Sequence, residues 1–285
     1  VRCARPEDEQ QLLTEARELA AWADVVILCI GDSSEITGEN CRPYKGGDRD
    51  ELQLIGQQQA LLDAVVATGT PVASVLIHGR ALAIAPVLAA SGAVLDAWNP
   101  GEARGQAVAA ALLGRYNPGG RLPISVPLSA GACPVYDSKL SNDLTKPYAF
   151  GHEGMVLPCG YGLSYSRFSL DRVALAQDQI GPNDSAVVEA TITNHGPLAG
   201  DEVILVYLGR SLAEVARPAR LLKAFVRVPL QVDEQRTVRL ELPPERFRYT
   251  GRDMQETSLR GRIPLLVGSR PDDLQELTLT ITEEA

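Results

Sequence analysis

The chain has 285 residues, 45% of them hydrophobic and 22% charged, with a formal net charge of −9. This is the composition of a globular protein long enough for two domains of ordinary size. The acidic balance argues against a nucleic-acid or anionic-membrane partner, which needs basic patches, and no apolar run approaches the ~20 residues of a membrane span.

Val1 to Gln11 is polar and shows no apolar core of a signal peptide. The first residue is Val rather than Met, so a processed or cut amino terminus is expected, and periplasmic, secreted and cytoplasmic locations all stay open. Pro6 to Ala21 has helical spacing with an acidic first turn, Glu7 to Glu9. An apolar strand, Val25 to Ile30, stops at Gly31. A polar loop of roughly eighteen residues then runs to Arg49 and carries Glu35 and Glu39. Loops of that length in compact domains are usually functional or disordered. A carboxylate at the carboxyl end of a buried strand is where open α/β sheets place their chemistry.

The alternation continues. Leu54 to Thr68 reads as a helix closed by Gly69, Val72 to Ile77 as a strand, and Ala81 to Ala90 as a helix closed by Gly92. Ala93 to Ala97 is a strand, and Glu102 to Leu113 a helix closed by Gly114. The strands are apolar throughout, which predicts a parallel sheet covered on both faces in a layered α/β domain. So few short strands make a small sheet whose edges need cover, as though further strands come from elsewhere.

Asn117 to Pro127 breaks the pattern with turn residues, and the chain from there to Tyr165 reads as irregular. Beyond Phe168, strands are predicted at Val187 to Thr193, Val203 to Leu208, Leu222 to Val228, Thr237 to Leu242, Ile263 to Val267 and Leu277 to Ile281. Short strands separated by turn signals indicate a β-sandwich. The plan is therefore α/β followed by all-β: residues 1–127 as part of an α/β sandwich, 128–165 as a linker, and 166–285 as a β-sandwich.

The five cysteines, Cys3, Cys29, Cys41, Cys133 and Cys159, include no CxxC pair, so structural zinc is not expected. Cys29 reads as a buried small hydrophobe, and Cys41 has no activating base beside it in sequence. No G-x-S-x-G elbow is present, and no helix follows Asn117-Pro118-Gly119-Gly120 to make a phosphate site. His78 and Trp98 follow predicted strands at their carboxyl ends.

Four ordered stretches carry a family resemblance: GDSSEITGEN followed by GGDR; VLIHGRALAI; LDAWNPGEARGQAVAAALLGRYNPGGRLPISVP; and GYGLSYSRF. Together they resemble the carboxyl-terminal part of family 3 glycoside hydrolases, which include β-glucosidases and β-xylosidases. TNHGPLAGDEVILVYLG and RPARLLKAFVRVPL are similar to the fibronectin-type-III-like domain that ends many such enzymes. The chain departs from the family at His78, usually Ser or Asn, and at Cys159, usually Phe.

The resemblance implies a retaining, exo-acting β-glycosidase, with β-glucosidase activity ahead of β-xylosidase or arabinosidase activity. A (β/α)8 barrel would supply an Asp nucleophile and the α/β sandwich the acid/base. This chain has no barrel and matches from midway through the sandwich. The expected partner is therefore a polypeptide carrying the barrel and the remaining strands, without which the isolated chain is expected to be inactive. By the resemblance, Glu39, after Gly38, is the acid/base, with Glu35 as the second candidate. Asp48 and Arg49 match an Asp-Arg pair that either fixes the loop's return, through an internal ion pair, or stands exposed at a helix start. Arg42, Tyr44, Lys45 and His78 are candidates to touch sugar, with a satisfied structural role as the other reading of His78; Trp98 reads as packing. No cofactor or metal is required, the substrate would be a β-linked oligosaccharide or glycoside, and a homo-oligomer is compatible. A non-catalytic carbohydrate-binding or assembly module is the competing class.

Overall fold

The computed structural model describes residues 6–32, 49–138, 154–211 and 213–282. They form two compact units.

The first unit takes the described residues up to Leu112, together with Val126–Val135 and Gly154–Val156. Its elements are α1 (Pro6–Trp22), β1 (Val26–Gly31), α2 (Gln58–Val66), β2 (Val72–Ile77), α3 (Ala85–Ala90), β3 (Ala93–Asp96) and α4 (Arg104–Leu112). Two short strands, β4 (Val126–Pro127) and β5 (Met155–Leu157), pair with each other. The main sheet is parallel in the order β1-β2-β3. Its register runs from Val26 beside Val72 to Gly31 beside Ile77, and from Ala73 beside Ala93 to Leu76 beside Asp96. Leu62, Val65, Val75, Leu76, Leu82 and Val87 form the buried interior.

Two helices start four residues later than their spacing suggests. Gly56 adopts φ +57°, a left-handed conformation that ends any helical path from Leu54, and α2 begins beyond it. Residues 81–84 stay irregular, with the Ala83 amide donating to the Leu52 carbonyl at 2.8 Å; α3 begins only with Pro86 in its first turn. The expectation of strands covered on both faces is corrected at β1. Leu28 and Ile30 are buried, but Ile27 is 53% exposed and Cys29, expected inside, is also exposed. An apolar run shows that a strand wants cover on both faces; the described residues provide it on one.

The second unit takes Leu113–Ser125 with the described residues of Tyr136 onward, apart from Gly154–Val156. Its strands are β6 (Phe168–Leu175), β7 (Gln179–Ile180), β8 (Ala186–Asn194), β9 (Gly200–Gly209), β10 (Arg220–Leu230), β11 (Gln235–Leu242), β12 (Arg248–Thr250), β13 (Glu256–Ser258), β14 (Gly261–Arg270) and β15 (Asp273–Ile281). One sheet has the order β10-β9-β14-β15-β7 and the other β11-β8-β6, with β12 and β13 as a separate hairpin. β8 alternates strictly between buried and half-buried positions, as its VVEATIT pattern requires. Ile192, Leu208, Phe247, Ile263 and Leu279 fill the space between the sheets. The outer face of β9 packs too: Val203, Leu205 and Tyr207 meet Leu266 and Leu274. Burial, helped by the nearby Asp137 carboxylate and opposed by Arg220, pushes the Tyr207 phenol up to about 12.

β6 was not among the predicted strands. A register shift between Leu170 and Arg172 interrupts the alternation where Asp171 and Arg172 stand, and a bulge hides a strand from a period-two reading. The expected boundaries at 127 and 165 also differ from the units observed. Residues 113–125 and 157–165 pack with the sandwich because polar side chains tie them there. Arg121 donates to the Glu202 carboxylate, each side chain under a tenth exposed. The Asn117 carbonyl oxygen accepts from the Ser164 hydroxyl at 2.7 Å and the Tyr165 amide at 2.8 Å. The Leu122 amide donates to Tyr161, and the Gly160 amide to Leu122, both at 2.8 Å.

Candidate functional site

Glu35, Glu39, Arg42, Tyr44, Lys45 and Asp48 lie outside the described residues, as does Cys41. The structure describes the two stems between which they stand and the strand ends that hold those stems.

The first stem is the end of β1. Gly31 has φ +140°, and a Cβ there would lie 2.0 Å from the Ile77 carbonyl oxygen, so no other residue fits. The close approach lets the next amide, Asp32, donate to that same oxygen at 2.8 Å. The Gln58 side chain clamps Gly31 from the other side: its carbonyl oxygen accepts from the Gly31 amide at 2.6 Å, and its amide donates to the Gly31 carbonyl at 2.8 Å. The Asp32 side chain is 1% exposed, with its carboxylate 3.7 Å from the Arg80 guanidinium.

The second stem begins at Arg49. Its guanidinium donates to the Gln53 carbonyl at 2.9 Å, which turns the chain on itself before α2. Arg80 reaches this stem as well, donating to the Glu51 carbonyl at 3.4 Å.

His78 stands just beyond β2 and is buried. One ring nitrogen, Nε2, lies 2.6 Å from the Asp96 carboxylate at the end of β3; the other, Nδ1, lies 2.6 Å from the Arg80 carbonyl. Both ring nitrogens are thus engaged by protein partners, and neither is left for a sugar hydroxyl. The Trp98 ring packs against it, centroids 4.8 Å apart at 44°, and the His78 amide donates to the Trp98 carbonyl at 3.3 Å. Trp98 itself has φ +52°, an uncommon conformation for a bulky residue. Sequence reasoning singled out His78 and Trp98 but passed over Asp32, Gln58, Arg80 and Asp96. Position could have found three of them: Asp32, Arg80 and Asp96 stand at or just beyond the carboxyl ends of the parallel strands, where open α/β sheets collect function.

Among the described residues no three His, Cys, Asp or Glu side chains gather as a metal site, and no helix is long and apolar enough to cross a membrane.

Comparison with known proteins places this geometry in a family. Residues 5–165 match the model of the glycosyl hydrolase family 3 C-terminal domain, and residues 202–270 match that of the fibronectin type III-like domain. A β-xylosidase of Formosa agariphila is 34% identical over 272 residues, covering 94% of this chain and 37% of the relative. A periplasmic β-glucosidase of Salmonella typhimurium is 32% identical over 273 residues, covering 92% of this chain and 35% of the relative. The chain thus spans little more than a third of the length of these curated relatives. Among solved structures, a β-glucosidase from Erythrobacter marinus superposes with a TM-score of 0.92 at 33% identity, covering 98% of this chain and 37% of that one. The chain belongs to glycosyl hydrolase family 3, whose C-terminal domain it carries, followed by a fibronectin type III-like domain.

Proposed function

We propose that this chain is the acid/base-bearing part of a retaining, exo-acting β-glycosidase, most simply a β-glucosidase, whose aspartate nucleophile comes from a (β/α)8 barrel. The observation that carries the reading is the pinning of both stems of segment 33–48 at the carboxyl edge of a parallel sheet, in a chain of this family. The bare apolar side of β1 suits cover by the rest of an α/β sandwich, so the barrel-bearing polypeptide is part of the proposal.

The chemistry needs two carboxylates about 5–5.5 Å apart. The barrel carboxylate attacks the anomeric carbon while Glu39, protonated, gives its proton to the departing glycosidic oxygen. A covalent glycosyl-enzyme results. Glu39, now a carboxylate, takes a proton from water, and that water's oxygen displaces the enzyme from the anomeric carbon with net retention. Glu39 must hold its proton until substrate arrives, which exclusion of water and a neighbouring negative charge both favour. Glu35 is the second candidate for this role. Arg42 and Tyr44 are the side chains of this segment that would reach sugar hydroxyls, and no cofactor enters any step.

The test is Glu39→Gln in the assembled enzyme. Turnover of glycosides with poor leaving groups should fall by about 100- to 10,000-fold, while 2,4-dinitrophenyl glycosides, which need no proton, should still form the intermediate. Normal turnover would transfer the role to Glu35. A pentosidase is the second reading, because one of the relatives above is a β-xylosidase; aryl glucosides, xylosides and arabinosides compared side by side decide it. Sugar binding by this chain alone would favour a non-catalytic module.

A further inference from the structure

We propose that Arg80 is a positioning residue for the glycosidase reaction: it ties together the two stems of segment 33–48 and is itself aimed by the His78–Asp96 pair. The proposal rests on the reading of that segment as bearer of the acid/base.

The geometry consists of one side chain with two anchors and one backbone with a third. Arg80 stands in the turn between β2 and α3. Its guanidinium is 3.7 Å from the buried Asp32 carboxylate, immediately before the segment, and donates at 3.4 Å to the Glu51 carbonyl, three residues beyond its end. Residues that flank a long segment on either side are thereby held by one planar, permanently charged group. The Arg80 carbonyl accepts from the buried His78 ring, whose other nitrogen meets Asp96 at the end of β3. The line Asp96–His78–Arg80 thus connects the ends of β3 and β2 to the end of β1 and to the returning chain. The His78–Asp96 contact at 2.6 Å, made to a carboxylate, is of the charge-assisted class that fixes orientation.

A reaction in which a carboxyl must meet a glycosidic oxygen within hydrogen-bond reach depends steeply on placement, and an error near 1 Å costs up to about 100-fold in rate. Packing alone does not need Arg80 to touch both stems. The Gly31 amide and carbonyl are already satisfied by Gln58, and the Asp32 amide by Ile77. What Arg80 adds is the link from one stem to the other.

The experiment uses the catalytically competent protein, this chain together with its barrel, and compares Arg80→Ala, Arg80→Lys and Glu39→Gln. Arg80→Ala is expected to lower kcat/KM on alkyl glycosides by about 10- to 100-fold, with little change in kcat/KM on 2,4-dinitrophenyl glycosides, whose first step needs no proton. The alkaline limb of its kcat/KM–pH profile should also move. In the same variant the amides of Gly31, Asp32 and Ala83 should exchange hydrogen faster. Arg80→Lys, which keeps the charge but not the planar reach, should recover only part of the rate; it also stands in for Arg80→Ala should that variant fail to fold. Equal losses on both substrate classes, or no loss in a folded variant, would overturn the proposal. If Glu39→Gln shows the leaving-group signature and Arg80→Ala does not, the positioning role fails and the acid/base reading stands. If Arg80→Ala shows it and Glu39→Gln turns over normally, Arg80 positions a different carboxylate and the reading of Glu39 fails.

Discussion

The two units solve the same packing problem to different degrees. In the sandwich, both sheets face one another over a closed interior, and Phe247 there is 1% exposed. In the α/β unit, Ile27 and Cys29 leave one side of β1 open, and Trp22 at the end of α1 is 87% exposed. Globular domains scatter single apolar side chains on their surfaces, but an exposed apolar strand side and an exposed Trp in one unit suit the further cover proposed above. The sandwich closes its interior with its described residues. The α/β unit invests its polar side chains at one edge of the sheet, around the stems of a single segment.

The sharpest test of this contrast truncates one large side chain in each unit. Phe247→Ala should cost about 3–5 kcal/mol in the sandwich, measured by urea unfolding of this chain. Trp22→Ala, which removes an exposed ring, should stay within about 0.5 kcal/mol under the same conditions. A large loss for Trp22 would mean that α1 is covered within the chain and that the contrast is false. Glu202→Ala comes next. It leaves the Arg121 charge buried without its carboxylate and should cost about 3 kcal/mol, while Arg121→Met with Glu202→Leu, which removes both charges, should restore most of the loss. A negligible effect of Glu202→Ala would mean that residues 113–125 do not depend on this ion pair to join the sandwich.

The smallest effect concerns Asp171, on the solvent side of β6. Hydrogen bonds from Ser169 and Thr193 hold its carboxyl below the usual range. A depressed folded value means the contribution is present above the unfolded pKa of about 3.9 and is lost as pH falls through the lower folded value. Asp171→Asn should therefore lower the melting temperature slightly near neutrality, with a loss under about 1 kcal/mol, and the difference from the parent should vanish in acid. A difference that persists once the carboxyl is protonated in both states would show that the side chain acts through shape instead of charge.

The legible and the hidden parts of this molecule divide along physical lines. VVEATIT announced β8 because one side of it is buried and the other is not, so alternation survives in the sequence. β6 lost that signal at its bulge. VILCI was read correctly as a parallel strand, but its uniform apolarity says only that cover is wanted, not which residues supply it. At the site, the motif drew attention to Gly31 through Arg49, and the structure adds why the preceding turn needs a glycine: the Ile77 carbonyl leaves no room for a Cβ. Gln58 was invisible, and Arg80 could be found by its position but not by its role, because those roles depend on partners 27 and 29 residues away in sequence, Gly31 and Glu51. Local patterns record periodicity and turn chemistry; they do not record which distant backbone group a long polar side chain will reach.

The most direct test of the central claim, that Glu39 is the acid/base, is the anomeric configuration of the product that Glu39→Gln makes from an activated β-glycoside in the presence of azide. The nucleophile inverts the anomeric carbon once, and azide, entering where water can no longer be deprotonated, inverts it again. The account predicts faster turnover with azide and a β-glycosyl azide product, identified by proton NMR. An α-glycosyl azide would make Glu39 the nucleophile instead, and normal hydrolysis with no azide adduct would remove it from the chemistry.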